Sequence, residues 1–394
     1  MLIEKVDKLI DKYLEEVIAI RRHIHENPEL SLKEFKTAKL VSNELNKLGL
    51  NVQEGVGKTG VVANLNPHKN HKTLMIRADM DALPIEEKTG LPFKSKNPGV
   101  MHACGHDVHT SILIGVTKIL NEIKDEINGN VKFVFQPAEE NNPVGGAPLM
   151  IKEGVLENPR VDNAIALHVW DYPTGTIAVK PQAMMSESNR IFITIKGQGA
   201  HASKPHEGHD AIVCAAYLIT QLQTIVSRDI DPSDVVVLTL SKIHGGIRYN
   251  VLPSEVVIEG TVRCSSVDAC DTLPDRIEDI IKSVCTIHGC DYSYEFNHGY
   301  PVTFNDKKLT SLVKKSIVKS IGEENLVEMD NPDTGGEDFS FFSKEVPSCL
   351  MFLGCKSEKN EETCVLHNSG FDCDEDCIKT GLKAMVNIVL DYFE

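Results

Sequence analysis

Residues 131–140 read Val-Lys-Phe-Val-Phe-Gln-Pro-Ala-Glu-Glu, an apolar run that stops at two adjacent glutamates. Branched and aromatic side chains in such a run indicate a buried β-strand over Val131–Phe135. Neighbouring side chains at the end of a strand point in different directions. Glu139 and Glu140 are therefore suited to different tasks, one carboxylate holding a metal ion and the other moving protons. Metal-assisted hydrolysis requires this division.

A second segment lies upstream and reads Met101-His102-Ala103-Cys104-Gly105-His106-Asp107. It offers a thiolate and an imidazole two residues apart. We expect Cys104 and His106 in a glycine-containing loop, before a helix over Thr110–Leu120. Cysteine, histidine and carboxylate together suit zinc, cobalt, nickel or manganese better than magnesium or calcium.

Polar residues also follow three further predicted strands, namely Asp79 and Asp81 after Leu74–Ala78, His168 after Ala164–Leu167, and His367 after Cys349–Leu353. In open α/β sheets, ligands bind outside the carboxyl ends of the strands. Each of these residues taken singly is usually a capping, surface or core group. Their convergence on one rim of one sheet predicts a functional site.

The order of predicted elements indicates an α/β fold with an insertion. Strands and helices alternate along the first half of the chain, which predicts a mostly parallel or mixed sheet covered by helices. Between about residues 187 and 298 the order becomes β-α-β-β-α-β, the ferredoxin-like arrangement. We therefore predict a catalytic domain split over residues 1–186 and 299–394, with an inserted α+β domain at 187–298.

The composition of the chain limits the kinds of partner that we expect it to bind. The chain has 394 residues and a net charge of −16, which argues against binding to nucleic acid. We recognise no signal peptide and no apolar run of about 18 residues, so we expect a cytoplasmic protein without a membrane anchor. The 11 cysteines fit reduced, mostly buried thiols in that compartment.

Six segments resemble one enzyme family, and the similarity runs essentially from end to end. They are Arg77–Pro84, Met101–Thr110, Gln136–Glu140, Ala166–Trp170, Gly199–Ser203 and Asn250–Pro253. The chain resembles the amidohydrolase branch of the aminoacylase and carboxypeptidase metallopeptidase superfamily. That branch contains hippurate hydrolases, N-acetyl-amino-acid deacetylases and indoleacetyl-amino-acid hydrolases.

The resemblance implies a role for each candidate residue. It implies five metal ligands: Cys104, His106, Glu140, His168 and His367. It makes Glu139 the general base and Asp81 a residue that orients a ligand. It also implies two divalent ions per subunit, with zinc, manganese, cobalt or nickel as the candidates, and a lid or dimerisation role for the inserted domain.

Three residues of the inserted domain complete the predicted site. His201 lies in a glycine-containing loop, and we expect it to donate a hydrogen bond to the oxyanion, in its own subunit or across a homodimer. We expect Asn250, and also Arg248, to meet the carboxylate of an N-acyl amino acid. The predicted activity is hydrolysis of the amide bond of such small molecules.

Three other functions remain open at this stage. A dipeptidase or carboxypeptidase would use the same machinery on a peptide bond. A metal-loaded protein that binds acyl-amino acids without turnover would have no use for Glu139. A redox sensor would respond to oxidation of Cys104 by changing a partner interaction, whereas the hydrolase would simply be inactivated.

Overall fold

The computed structural model describes residues 2–67, 71–357 and 365–394. The chain divides into two compact units. Unit 1 extends to Gln182 and resumes over Phe304–Asp330 and Asp338–Glu394. Unit 2 consists of Ala183–Thr303 and Asn331–Glu337. The main segment of unit 2 is therefore inserted in the sequence of unit 1.

The helices are α1 (Leu2–Glu26), α2 (Phe35–Lys47), α3 (His106–Glu122), α4 (Ala147–Lys152), α5 (Ala211–Thr224), α6 (Val267–Ile287), α7 (Lys307–Ile321), α8 (Phe339–Glu345) and α9 (Asp376–Phe393). The strands are β1 (Asn51–Val56), β2 (Gly60–Leu65), β3 (Thr73–Asp79), β4 (Asn130–Gln136), β5 (Asn163–Pro173), β6 (Ile177–Val179), β7 (Gln182–Met185), β8 (Glu187–Lys196), β9 (Val236–Gly245), β10 (Glu255–Cys264), β11 (Asp291–Asn297), β12 (Thr303–Asn305), β13 (Leu326–Glu328) and β14 (Ser348–Lys356).

Unit 1 contains a mixed eight-stranded sheet in the order β1-β2-β4-β3-β5-β14-β6-β13. Its four central strands, β4, β3, β5 and β14, run parallel to one another. All of β3 and β4 is buried, as expected for parallel strands covered by helices on both faces. The parallel centre sends the carboxyl ends of these strands to one edge of the sheet. This confirms the predicted α/β class.

Helix α3 lies in the core of unit 1. Its residues 106–120 are all buried, and it packs against α1 and α9. Helix α1 turns one apolar face to this core through Val6, Ile10 and Val17, whose spacing repeats with the helical turn. The glycine at 49 has φ +74° and ends the α2 segment, as its sequence position predicts.

Unit 2 has the predicted β-α-β-β-α-β order, from β8 to β11. Its four strands form an antiparallel sheet in the order β11-β8-β10-β9. Helices α5 and α6 pack on each other, and α5 also packs on β8, β9 and β10. A separate apolar core results, with Ile191, Ile258 and Ile277 fully buried. The inserted ferredoxin-like domain is thus present.

Two local predictions were wrong, and one pair of strands was missed. His168 does not end a strand, because β5 continues to Pro173 by pairing with β14, where His168 stands opposite Phe352. His106 is not in a loop, since α3 begins at this residue. Strands β1 and β2 were not predicted from the sequence.

One helical segment of the described chain, Ala211–Asp229, is long and apolar enough to cross a membrane by length and composition alone. It comprises α5 and the single π-helical turn that follows. Within unit 2 its side chains Cys214, Leu218 and Leu222 are buried in the core. A core helix of a soluble protein passes the same criterion, so the expected lack of a membrane anchor stays a prediction.

Candidate metal centre

Asp81 lies two residues beyond β3 and accepts four hydrogen bonds. Its Oδ1 accepts from His106 Nδ1 at 3.2 Å and from the backbone N–H of Glu139 at 3.1 Å. Its Oδ2 accepts from the N–H of Glu140 at 3.0 Å and from the Ser31 hydroxyl at 2.7 Å. Burial raises the pKa of Asp81, but these donors outweigh burial and keep the pKa below its usual value. A charged Asp81 therefore fixes both glutamates and one imidazole.

His106 is the clearest candidate ligand. Because its Nδ1 bonds to Asp81, its Nε2 points elsewhere, and this buried nitrogen makes no hydrogen bond to any part of the chain that the structure describes. Burial lowers the pKa of His106, but Asp79, Asp81 and Glu140 together raise it to about 10. A histidine held by a carboxylate through one nitrogen commonly binds a metal ion through the other.

Gly105 explains why α3 can begin so close to β5. It has φ +81°, a conformation that favours glycine. A Cβ atom at this position would lie 2.2 Å from Cγ2 of Val169. The close approach brings Cys104 and His106, on either side of the glycine, against the strand that carries His168.

His168 presents one nitrogen to the same place. Its Nδ1 donates to the carbonyl oxygen of Val169 at 2.7 Å, and its Nε2 lies 3.5 Å from the Sγ of Cys104. Burial, and next the nearby His109, lower the pKa of His168 well below its usual value. The ring is therefore neutral, which is the form that binds metals.

His367 approaches from the opposite end of the sequence. Its Nε2 lies 3.3 Å from the Sγ of Cys104 and 3.1 Å from Oε1 of Glu140. Its backbone N–H donates to the carbonyl of Ala103 at 2.8 Å, which ties this segment to the Cys104 loop. Burial, together with Glu140 and Glu139, raises the pKa of the Cys104 thiol well above its usual value. A cation at this position would reverse that effect and favour the thiolate.

The structure thus brings together all five residues predicted as ligands. Three of them, Cys104, His106 and Glu140, offer ligand atoms that lie within 4.8 Å of one another. His168 and His367 contact the same thiol from two sides. One thiol, one carboxylate and three imidazoles converge, and these donors fit a divalent transition metal.

Glu139 is buried, and it contacts a residue that several hydrogen bonds hold in place. Its Oε1 accepts from the backbone N–H of Asp338 at 3.4 Å. The Asp338 carboxylate in turn accepts from Arg77 at 2.8 Å and from Gln136 at 2.7 Å. Two further backbone N–H groups, those at 146 and 147, also donate to Asp338. A carboxylate beside the candidate ligands is thereby held in place.

His109 is a site residue that sequence reasoning did not assign. It lies one helical turn after His106 and near the other imidazoles, but both of its nitrogens are occupied. Nδ1 donates to Asp79 at 2.6 Å, and Nε2 accepts from the N–H of Val169 at 2.8 Å. His109 therefore links α3, β3 and β5 and is not a candidate ligand. The spacing of the two histidines was the available signal.

Unit 2 carries the other three predicted residues. His201 Nδ1 accepts from the backbone N–H of Ser203 at 3.1 Å and from its hydroxyl at 2.7 Å, which leaves the ring proton on Nε2. The Ala202 N–H donates to the Asn250 carbonyl at 3.2 Å, so these two segments lie side by side. Arg248 is exposed, and the Oδ1 of Asn250 makes no hydrogen bond within the described ranges.

Comparison with known proteins agrees with this geometry. The family model described as Peptidase family M20/M25/M40 matches residues 75–391. The chain is 39% identical to thermostable carboxypeptidase 2 of Saccharolobus solfataricus over 99% of both chains. It is 43% identical to an N-acyl-L-amino acid amidohydrolase of Geobacillus stearothermophilus, over 77% of this chain and 81% of that protein.

A solved structure gives the same result. The YXEP protein of Bacillus subtilis, described as a dinuclear metal-binding peptidase of the M20 family, superposes with a TM-score of 0.83 at 29% identity. The alignment covers 97% of this chain and 99% of that one. The match spans both units and the candidate metal centre. The chain therefore belongs to peptidase family M20/M25/M40 and is a hydrolase that acts on amide bonds.

Proposed function

We propose that this protein is a two-metal amidohydrolase that cleaves N-acyl-L-amino acids to a carboxylic acid and a free amino acid. The observation that carries the proposal is the placement of Glu139, buried and anchored, next to a Glu140 that converges with Cys104 and His106. The relative named as an N-acyl-L-amino acid amidohydrolase supports the substrate class.

Five residues would hold the metal ions: Cys104, His106, Glu140, His168 and His367. The buried Nε2 of His106, which lacks a hydrogen bond to the described chain, supports this assignment. The dinuclear description of the Bacillus subtilis structure supports two ions, and the mixed donor set favours zinc, manganese, cobalt or nickel. Bound divalent ions would polarise the amide carbonyl and lower the pKa of the attacking water to about 7.

Glu139 acts as the general base and then as the general acid. Its carboxylate takes a proton from the attacking water and delivers it to the departing amine. The backbone N–H of Asp338 holds one of its oxygens, so the carboxylate does not need to reorganise during the reaction. Asp81 orients His106 and both glutamates through the four hydrogen bonds described above.

His201 stabilises the oxyanion in this proposal. Two hydrogen bonds from Ser203 fix its tautomer, so that Nε2 carries the proton and can donate a hydrogen bond. The Asn250 amide and the exposed Arg248 guanidinium suit the free carboxylate of the substrate. Esterification of that carboxylate should therefore raise KM. An unchanged KM would contradict the proposed contact of Asn250 and Arg248 with the carboxylate.

We further propose a cytoplasmic homodimer formed through unit 2. Strand β9 is an outer strand of that sheet, and its Ile243 is half exposed. On α5, the side chains of Ile212 and Tyr217 are also exposed. The mass of the metal-loaded protein by light scattering tests the dimer. A monomer at assay concentration would contradict both the dimer and a His201 that acts across subunits.

A carboxypeptidase or dipeptidase is the second candidate. One relative that matches over 99% of this chain bears a carboxypeptidase name. Both reactions cleave an amide whose amine side carries a carboxylate, so the same residues serve either one. The acyl side decides between them, since a peptide presents an amino group there and an N-acyl amino acid does not.

The test is release of free amino acid from N-acetyl, N-benzoyl and indoleacetyl amino acids and from dipeptides. Each substrate is assayed with added manganese, zinc or cobalt, on the unaltered protein and on Glu139→Gln. Metal-dependent turnover of acyl-amino acids that is lost in the variant supports the proposal. Turnover of dipeptides alone supports the peptidase. Binding of metal and substrate without any turnover would contradict both.

A further inference from the structure

The turn that carries Glu139 and Glu140 is held by two buried carboxylates. Three consecutive backbone N–H groups of this turn donate to them. The N–H of Ala138 donates to Oε1 of Glu34 at 2.9 Å, and the next two donate to Asp81 at 3.1 and 3.0 Å. Asp81 is part of the proposed centre. Glu34, at the start of α2, has no role in the chemistry described above.

Ala138 needs such support because its backbone is unfavourable. It has φ +56°, in the left-handed region that non-glycine residues rarely adopt. Such a conformation persists only where the surroundings determine it, and this happens most often at functional sites. Ala138 immediately precedes Glu139, so a change in its backbone angles would redirect both glutamates.

Glu34 is itself firmly anchored. It is fully buried, and its Oε1 also accepts from the N–H of Leu32 at 2.9 Å, a second non-glycine residue with positive φ, +61°. Its Oε2 accepts from the Thr59 hydroxyl at 2.6 Å. One carboxylate oxygen thus joins two left-handed residues from distant parts of unit 1. Burial, followed by the charge of Asp81, raises the pKa of Glu34.

We infer that Glu34 is a positioning residue for the metal-dependent reaction, which holds Ala138 left-handed and so aims Glu140 at the metal and Glu139 at the attacking water. This inference rests on the proposed function. It assigns Glu34 an effect on two separable quantities. Metal affinity reports the placement of Glu140, and kcat at saturating metal reports the placement of Glu139.

The test uses two variants of Glu34 and one matched control. Glu34→Ala removes three hydrogen bonds from a buried site. Glu34→Gln keeps an oxygen for the N–H groups of Leu32 and Ala138, and its amide can donate to the Thr59 hydroxyl. The control is Asn305→Ala, because Asn305 is also fully buried and makes three hydrogen bonds, to Lys180 and Leu350, without touching the metal centre.

Each protein is titrated with Co²⁺, followed by the thiolate-to-cobalt absorption band, and its unfolding midpoint and kinetic constants are measured well below that midpoint. We expect Glu34→Ala to lose about 10–100-fold in Co²⁺ affinity and in kcat, the range typical of residues that orient metal ligands. Glu34→Gln should stay within about threefold of the unaltered protein, since the acceptor for both N–H groups is retained. Asn305→Ala should lose stability and keep both affinity and kcat.

The outcomes separate this inference from the proposed function. Glu34→Ala that resembles Asn305→Ala, with lower stability but normal affinity and kcat, would overturn the inference. If the unaltered protein bound Co²⁺ but hydrolysed none of the substrates, the proposed function would fail, and the Co²⁺ affinities would still decide the role of Glu34. An unaltered protein that bound no Co²⁺ would overturn both.

Discussion

At the scale of single residues, the candidate centre depends on which nitrogen of each histidine is occupied. Asp81 takes Nδ1 of His106, and a backbone carbonyl takes Nδ1 of His168, so each ring has its Nε2 directed at the centre. His109 has both nitrogens occupied and serves the fold. Histidines close in space thus divide into candidate ligands and supports by their hydrogen bonds.

Replacing Asp81 with Asn should weaken metal binding by about 10–100-fold. Three of the four groups that donate to Asp81 are N–H groups, and the amide nitrogen of Asn would face one of them as a second donor. Competition with a chelating dye measures the affinity. Ser31→Ala removes only one of the four hydrogen bonds, so it should bind metal nearly normally; equal losses in the two variants would contradict this account.

Replacing His201 with Ala should lower kcat by about 10²–10³-fold if it donates to the oxyanion. KM should change little, because the donor acts mainly on charge that develops in the transition state. Steady-state kinetics on the best acyl-amino acid measure both constants. Ser203→Ala keeps the backbone donor to His201 Nδ1 and should have a smaller effect, while an unaffected kcat in the histidine variant would exclude the role.

At the scale of secondary structure, the position of α3 relative to β5 decides whether the candidate ligands meet. Gly105 permits both its own left-handed backbone and the contact with Val169, so a side chain there would push the start of the helix away from the strand. Gly175 also has positive φ, +96°, but apart from its two neighbours in the chain no described atom lies within 4 Å of the position that a Cβ would take.

Gly105→Ala should therefore destabilise the protein by about 3 kcal/mol or more, since backbone strain and overpacking each cost about 1–3 kcal/mol. Gly175→Ala should cost only the strain, roughly 1–2 kcal/mol. Urea denaturation followed by circular dichroism gives both free energies of unfolding. Similar losses at the two positions would show that the contact with Val169 does not matter.

The helices and strands also differ in how far the sequence alone could predict them. Periodicity predicted the central strands and the whole order of unit 2, because each pattern depends on residues near one another. It missed the extension of β5, because His168 remains in a strand only through its pairing with β14, far along the chain. It could not find Glu34 or Asp338, because no local pattern links them to the turn at Ala138. The candidate ligands themselves could be named from short motifs, and their role as ligands stays a prediction.

At the scale of the whole molecule, a buried ionic network joins α1 to the start of α3. The Arg21 guanidinium and the His25 imidazole both bond to Oδ2 of Asp107, at 2.8 and 2.9 Å, and His25 also lies 3.4 Å from Glu87. Burial lowers the pKa of His25, but Asp107 and Glu87 outweigh it and raise the pKa to about 9. His25 is therefore charged in the folded protein at neutral pH.

This network predicts a pH dependence of stability. The pKa of His25 is raised in the folded state, so its contribution is complete below about pH 6.5, the unfolded value, and is lost as the pH rises through about 9. The loss should amount to about 3 kcal/mol relative to His25→Gln, which does not titrate. Urea unfolding at pH 6 and pH 10 gives the free energy of unfolding of the unaltered protein and of His25→Gln. Contributions from metal binding are shared by the two proteins, so they cancel in the difference. A difference that is independent of pH would contradict the assigned charge.

Strand β14 lies between β5 and β6 in the sheet, although it is the last strand of the described chain and the sequence of unit 2 comes between β6 and β14. On the ribosome, β5 and β6 emerge long before the strand that separates them, whereas every strand of unit 2 is available earlier. Unit 2 can therefore fold during synthesis while unit 1 must keep a gap open in its sheet. His367 emerges later still, so the set of candidate ligands becomes complete only near the end of translation. A nascent chain stalled before β14 should thus contain a folded unit 2 and a unit 1 whose sheet is incomplete.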